Sequence, residues 1–458
     1  MKIVSAGRLV LFFSTLISSI ALSADRAPDF SGRWEVTTGY AGGSWVAGLD
    51  LAADAGRYRG TSGYLVPDGV FYQYAGELQK DGLHLSVLAP DGKTEIGHLL
   101  LNFRAGNLTG SGVLRDVAVT LSGRRPLQRP ANAPRVIDFV PQVFYTTFSG
   151  LNPPALHIFP GDTVRTSTVD AGGGGRNAGQ QTLPGNPQTG PFYVEGAMIG
   201  DTIAVHLHKI RPNRDTAFQY RATLDPRVLP PGYRQDPAAG WSAIWNLDRE
   251  RGMAVPAEPS DKLKNLAVRI TPMLGCIGVA PFWKQAIGTS DLGPFGGNLD
   301  YNEIREGTTV FLPVYQAGAL LTIGDGHAMQ ADGEITGQGL ETSMDVEFSV
   351  DLIPNQLLDQ PWAESADSIM VSGIGGSLTD AFQNATAGLS NWLRTFYGLN
   401  SSEVATVLAA FVHYDIAEVV DPQAHVVARI GKDALSQIPK PATPSTVFCR
   451  PQWGCVPN

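Results

Sequence analysis

From residue 345 to 352, polar and apolar side chains change places at every step. Val346, Phe348, Val350 and Leu352 alternate with Asp345, Glu347, Ser349 and Asp351. A period of two marks a strand with one face buried and one wet. The same alternation sets Ile203, Val205 and Leu207 against Thr202, Ala204, His206 and His208. Shorter strand-length runs at 44–51, 70–74, 83–87 and 117–121 lie among the turn signals Pro67-Asp-Gly69, Lys80-Asp-Gly82 and Pro90-Asp-Gly92. With 52 glycines, 32 prolines and only 17% charged residues, tight turns between short strands outweigh helical stretches. The pattern predicts a mainly β chain of sandwich or barrel layers, with a small C-terminal α/β portion and a separate, small N-terminal antiparallel β domain.

The ends of the chain read differently. Lys2 and Arg8 precede an apolar run from Leu9 to Leu22, followed by the small residues Ser23 and Ala24. This predicts a secretory leader over 1–24, cleaved after Ser23 or Ala24, and hence a periplasmic or secreted protein. The run holds Ser14, Thr15, Ser18 and Ser19 and is short for a membrane span, which takes about 20 apolar residues. No later stretch is apolar enough, so no transmembrane segment is expected in the mature chain. Residues 25–123 form the small β unit, whose opening Asp29-Phe-Ser-Gly-Arg-Trp34 resembles the start of lipocalin-like barrels. The proline-rich stretch 124–135 reads as a linker, 136–435 as the main domain and 436–458 as a proline-rich tail. Within the main domain, Leu378, Phe382, Leu389, Leu393 and Phe396 recur at helical spacing up to Gly398, and Asn400 with Glu403 opens a second helix.

Charge and cysteines narrow the function. A formal charge of -9 lacks the basic face that nucleic acid requires. Three cysteines make no disulfide scaffold; Cys449 and Cys455 are close enough in the tail to close one small loop, and Cys276 lies in an apolar stretch.

The residues with the most chemistry lie at 324–334, after the strand-like run 319–323. Asp325, His327, Asp332 and Glu334 share a glycine-rich loop whose bends let their side chains converge. Nitrogen with carboxylate oxygen suits a divalent metal, and a solvated turn or capping network is the competing reading. His206 and His208 share one strand face, a spacing able to hold a metal, though exposed strand histidines are commoner. His157 precedes a strand, and Gly172 to Gly175 lack the Gly-Lys-Ser/Thr ending of a phosphate loop.

The segment Gly-Asp-Gly-His-Ala-Met-Gln-Ala-Asp-Gly-Glu at 324–334 resembles that of the acetamidase/formamidase family. So do the blocks at 186–197, 200–202, 272–281, 296–300 and 339–342, and the tail pair Trp392-Leu393 with 416–421. They run in order over roughly residues 140 to 430 and leave the N-terminal unit outside. The resemblance implies hydrolysis of short amides such as formamide and acetamide to a carboxylate and ammonia, assisted by a divalent metal, zinc first and calcium as the alternative. It implies metal ligands at His327, Asp325, Asp332 and Asp170. Glu334 is the expected general base, with Glu195 second. Asn298 and the N–H groups of Gly296 and Gly297 are the expected oxyanion donors. Homo-oligomers are a tendency of the family. Two other readings stand beside this one: a hydrolase of larger amides, carbamates or cyclic amides, and a periplasmic binding protein without catalysis.

Overall fold

The computed structural model describes residues 28–64, 70–130, 133–236, 243–356 and 358–440, with strands at 448–450 and 454–456. The leader 1–24 and most of the tail lie outside the described residues, as do the side chains of Cys449 and Cys455. The backbones of those two cysteines face each other in a short hairpin.

The N-terminal unit is a closed antiparallel barrel. Its strands are β1 (Gly32–Tyr40), β2 (Gly43–Asp54), β3 (Arg57–Tyr64), β4 (Val70–Gln79), β5 (Gly82–Leu88), β6 (Glu95–Arg104), β7 (Asn107–Leu114) and β8 (Val117–Arg124). Strand β8 pairs back onto β1, from Glu35 against Arg124 to Tyr40 against Val119, so the sheet has no free edge. Alternation sends Leu83, Leu85 and Val87 of β5 inward to meet Trp34, Leu49 and Leu101. Trp34 closes the floor. Its Nε1 donates to Phe30 O at 2.8 Å, and the Arg125 guanidinium lies 3.7 Å over its ring. The stretch read as a linker is therefore pinned, further on as well, where Arg129 and Arg135 both pair with buried Asp162.

Polar contacts join the barrel to the main domain. Arg33 of β1 pairs with Asp201, whose side chain is buried and also accepts from the main-chain N–H groups of Met198 and Asn355. Asp50 of β2 accepts from the Asn355 side chain at 2.8 Å.

The main domain stacks two curled sheets. The 9-stranded sheet runs, in order, through strands His413–Glu418, Ala424–Gly431, Ser368–Gly375, Trp362–Glu364, Thr309–Pro313, Thr202–Pro212, Met344–Ile353, Thr163–Ser167 and Val136–Asp138. The 7-stranded sheet is centred on Gln188–Val194, Leu321–His327, Met273–Gly278 and Gly296–Asn298. Inward side chains of both, among them Ile203, Val205, Val346, Phe348, Phe192, Leu321 and Ile323, form one shared core. The mainly β expectation holds. The alternation at 202–208 is broken by a bulge between Leu207 and Lys209, which leaves His208 and Lys209 both outward and returns Ile210 to the core.

Helix α1 (Leu378–Tyr397) and helix α2 (Ser401–Phe411) cover the outer face of the 9-stranded sheet. Gly398 ends α1 in a left-handed turn, and Asn400 with Glu403 makes the expected capping box. The buried stripe of α1 differs from the expectation: Ala381, Ala385, Leu389, Leu393 and Tyr397 face inward, while Leu378 and Phe382 are exposed. The cause is close packing. A Cβ on Gly373 would sit 2.1 Å from Ala381 O, so the helix lies against the sheet along its smallest side chains.

Candidate active site

The strand Leu321–His327 is buried at every residue and carries Asp325 and His327 to its C-terminal end. Around them the chain delivers buried carboxylates from other segments: Asp300 just past the strand Gly296–Asn298, Glu334 from the following loop, Glu341 from a segment bridged to His327, and Glu418 at a strand end. Ligand atoms of Asp325, His327 and Glu341 lie within 4.8 Å of one another, and so do those of Asp300, His327 and Glu334. His327 Nε2 is 3.1 Å from Glu341 Oε1 and 3.4 Å from Asp325 Oδ1.

An amide framework holds these groups. The Asn186 side chain donates to Asn298 Oδ1 at 2.7 Å and to Asp325 Oδ2 at 3.1 Å, and Gln188 donates to Asn186 Oδ1 at 2.8 Å. Asn298 in turn donates to Asp300 and to Asp421. The backbone bends hard to bring them together. Asn186, Asp300, Asp325 and Glu334 have φ values of 54°, 39°, 52° and 47°, in the left-handed region that side chains with a Cβ disfavour. Strain of this kind gathers where a site over-determines the backbone.

The electrostatics ask for a cation. Burial pushes Asp300 and Glu334 well above the usual carboxylate range, with their acidic neighbours adding to it. Burial likewise raises Glu341 and Asp421 to about 7 and Glu418 to about 8. For His327 burial acts downward, but the carboxylates of Glu341 and Asp325 outweigh it and hold the imidazole well above its ordinary range. Meanwhile His327 Nε2, Asp300 Oδ1, Asp325 Oδ1, Glu341 Oε2 and Glu418 Oε1 are fully buried without a hydrogen-bond partner. Orphaned acceptors are costly in a dry interior. A nitrogen-and-oxygen donor set with unused lone pairs fits a divalent cation.

The sequence-predicted residues fall in different places. Asp325, His327 and Glu334 come together. Asn298 lies beside them, but its amide donates to two carboxylates, so it orients acids rather than presenting a free donor. The strand of Gly296 and Gly297 is paired on both sides, which turns their N–H groups toward sheet partners. Asp332 is exposed and accepts from Asn302, outside both donor groups. Asp170 is buried but pairs with buried Arg214 and accepts from Gly174 N–H, also outside both groups. Glu195 follows the far end of the strand Gln188–Val194, on the order of 20 Å along extended chain from Gln188. There it holds His157 at 2.7 Å. His206 bonds to Thr309 and Asp351, and His208 to Ser349, on the outer sheet face. Cys276 is buried, and burial pushes its thiol up, away from a nucleophilic thiolate. Glu341, Asp300, Asp421, Glu418, Asn186 and Gln330 were missed as site residues, although each lies in one of the blocks that carry the family resemblance.

The sequence profile of the acetamidase/formamidase family matches residues 284–421, the stretch that holds Asp300, Asp325, His327, Glu334, Glu341 and Asp421. Over these residues the chain is similar to the acetamidase/formamidase family. A Schizosaccharomyces pombe protein with a provisional formamidase name is 40% identical over 217 residues, covering 37% of this chain and 52% of that protein. The chain thus spans about half the length of this curated relative. Among solved structures, a predicted acetamidase/formamidase from Thermoanaerobacter tengcongensis is 24% identical with a TM-score of 0.56, covering 67% of this chain and 98% of the other. An acetamidase from Bacillus halodurans gives 24%, 0.56, 66% and 99% for the same quantities. An acetamidase from Yersinia enterocolitica gives 26%, 0.56, 67% and 94%. These likenesses share the fold of the main domain.

Proposed function

We propose that this chain is a member of the acetamidase/formamidase family and an exported hydrolase that cleaves short linear amides to a carboxylate and ammonia with the help of a divalent cation. The observation that supports it most is the buried cluster of unpartnered lone pairs on His327, Asp325 and Glu341. Those three residues would hold the cation, zinc by donor type with calcium as the alternative. When bound, such an ion polarises an amide carbonyl and lowers the pKa of water toward about 7.

The chain's own residues account for the rest. Glu334 lies within reach of His327 and outside the Asp325–His327–Glu341 group. Burial lifts its carboxyl toward the range in which a base takes a proton from water and returns it to a departing amine nitrogen. The backbone at Glu334 is held left-handed, which fixes the carboxylate in place before substrate arrives. Asn298 bridges Asp300 and Asp421 by donating to each, and Asn186 holds Asp325 Oδ2 so that Oδ1 stays free.

The leader expected over 1–24 supports export, with the mature protein in the periplasm or outside the cell as part of the same proposal. Among the described residues, no helix is long and apolar enough to cross a membrane. Self-association belongs to the same proposal, and sedimentation of the purified chain checks it.

The deciding experiment uses the chain from Ala24 onward. Bound metal is measured, and ammonia release is assayed on amides from formamide to bulky aryl amides, with chelator and His327→Ala as controls. Release that vanishes with both supports the proposal, and the best substrate sets the size of amide. Bound metal with no release from any amide rejects the hydrolase reading and leaves a binding protein. Release that survives the chelator rejects the role of the cation.

A further inference from the structure

The two candidate donor groups share His327, and a neutral imidazole has one lone pair to give. Which nitrogen keeps it depends on the hydrogen bond that the other one makes. Gln330 supplies that bond. Its Oε1 lies 2.7 Å from His327 Nδ1.

The orientation of this amide is fixed from its other end. Gln330 Nε2 donates to Asp300 O at 2.6 Å and to Ala417 O at 3.4 Å. Turned over, the amide would set its oxygen against two main-chain carbonyl oxygens with no proton between them. Buried side-chain amides do not sit that way. The oxygen therefore faces His327, and an amide oxygen only accepts. Nδ1 must carry the hydrogen, and the lone pair falls to Nε2, the nitrogen that faces Glu341 and Asp325.

We infer that Gln330 is the positioning residue that sets the His327 tautomer and so assigns the cation to Asp325, His327 and Glu341 rather than to Asp300, His327 and Glu334. The inference rests on the metal reading above. It also gives the second group a different role, since Asp300 and Glu334, left without the imidazole lone pair, remain available for protons. The same amide ties the main chain at Asp300 to the main chain at Ala417, next to Glu418, so one side chain sets the tautomer and the spacing of the acids together.

The test is spectroscopic. Full-length mature protein carrying ¹⁵N-histidine is loaded with zinc, and the imidazole nitrogen shifts of His327 are assigned with the His327→Ala spectrum. The expected result is a hydrogen on Nδ1 and none on Nε2. Gln330→Met keeps the length of the side chain and removes its polar atoms. It is expected to lower zinc affinity by about 10–100-fold, read by competition with a chromophoric chelator, and to shift the Nδ1–H signal. A hydrogen on Nε2 in the wild-type spectrum overturns the inference, and this reading stands even if Gln330→Met does not fold. Unchanged affinity with an unchanged Nδ1–H signal in a folded Gln330→Met protein overturns it as well. If the wild-type protein binds no divalent cation, the metal reading fails instead. The neutral imidazole of the metal-free protein at alkaline pH then still shows whether Gln330 puts the hydrogen on Nδ1.

Discussion

Gly275 and Asp300 stand so close that a Cβ on Gly275 would lie 2.3 Å from Asp300 Oδ1, with Asp325 Oδ2 next at 2.9 Å. The missing side chain is the space in which the two carboxylates meet. Gly275→Ala forces them apart or bends the strand Met273–Gly278. A destabilisation of about 1–3 kcal/mol is expected from the overpacking. A loss of bound metal larger than that of any strand-surface Gly→Ala variant should accompany it. Thermal melts and metal analysis of the purified variant check both, and retained metal with native stability would contradict this account of the site.

Glu334→Gln separates base from ligand. Turnover should fall by about 10²–10⁴-fold while metal content stays at the wild-type level. Parallel loss of metal and turnover would make Glu334 a ligand, and unchanged turnover would remove it from the reaction.

Removing the cation should also weaken the fold, because the native state binds it and the unfolded chain lacks the assembled site. At a free cation concentration about 100 times the dissociation constant, the gain is about 2.7 kcal/mol. Chelator-treated protein should therefore melt lower than reloaded protein at pH 7, and His327→Ala should close most of that gap. A melt indifferent to metal would argue against a cation among these residues.

Asp162 links acid stability to the join between the domains. Burial acts to raise its carboxyl, but Arg135, Arg129 and main-chain N–H groups outweigh this and lower it from 3.8 to about 2. A depressed carboxyl stabilises the fold at pH values above its unfolded pKa and loses that contribution as pH falls through the folded value. Wild type should exceed Asp162→Asn by about 2 kcal/mol near neutrality. The gap should narrow as pH falls from about 4 toward about 2, as read from denaturant unfolding across that window.

Arg33 is the partner of a buried acid across the barrel contact. Burial raises the Asp201 carboxyl, and Arg33 is the main force against it. Arg33→Met leaves that acid without its cation and is expected to cost about 3–5 kcal/mol. Arg33→Met with Asp201→Asn should recover part of the loss. Proteolysis at the junction, faster in the single variant than in the double, is the simplest readout.

Much of this architecture is legible in the sequence. Periods of two locate strands because burial on one face leaves no other pattern, and the capping box at Asn400 and Glu403 is local chemistry. The stripe of α1 is not, because hydrophobicity points to Phe382, whereas close approach to Gly373 selects Ala381 and Ala385. At the site, Asp325, His327 and Glu334 stand out because one glycine-rich loop carries them. Asp332 sits in that same loop yet points to Asn302, since a bend of a few residues reverses a side chain without leaving a trace in composition. Asp300 and Asp421 come from other stretches of the chain, and Glu341 from the segment just beyond the loop. Nothing local to them distinguishes a carboxylate that enters the cluster from one that faces water.

The amide framework around the cluster joins distant stretches: Asn186 with Asn298 across 112 positions, Asn186 with Asp325 across 139, and Asn298 with Asp421 across 123. Contacts this far apart are the last to form as a chain collapses. A growing or threading polypeptide cannot close the cluster until the segment around Asp421 has arrived. If the chain crosses a membrane unfolded, the cation is then taken up at the destination, and the metal supply of that compartment, not of the one where the chain is made, determines which ion fills it.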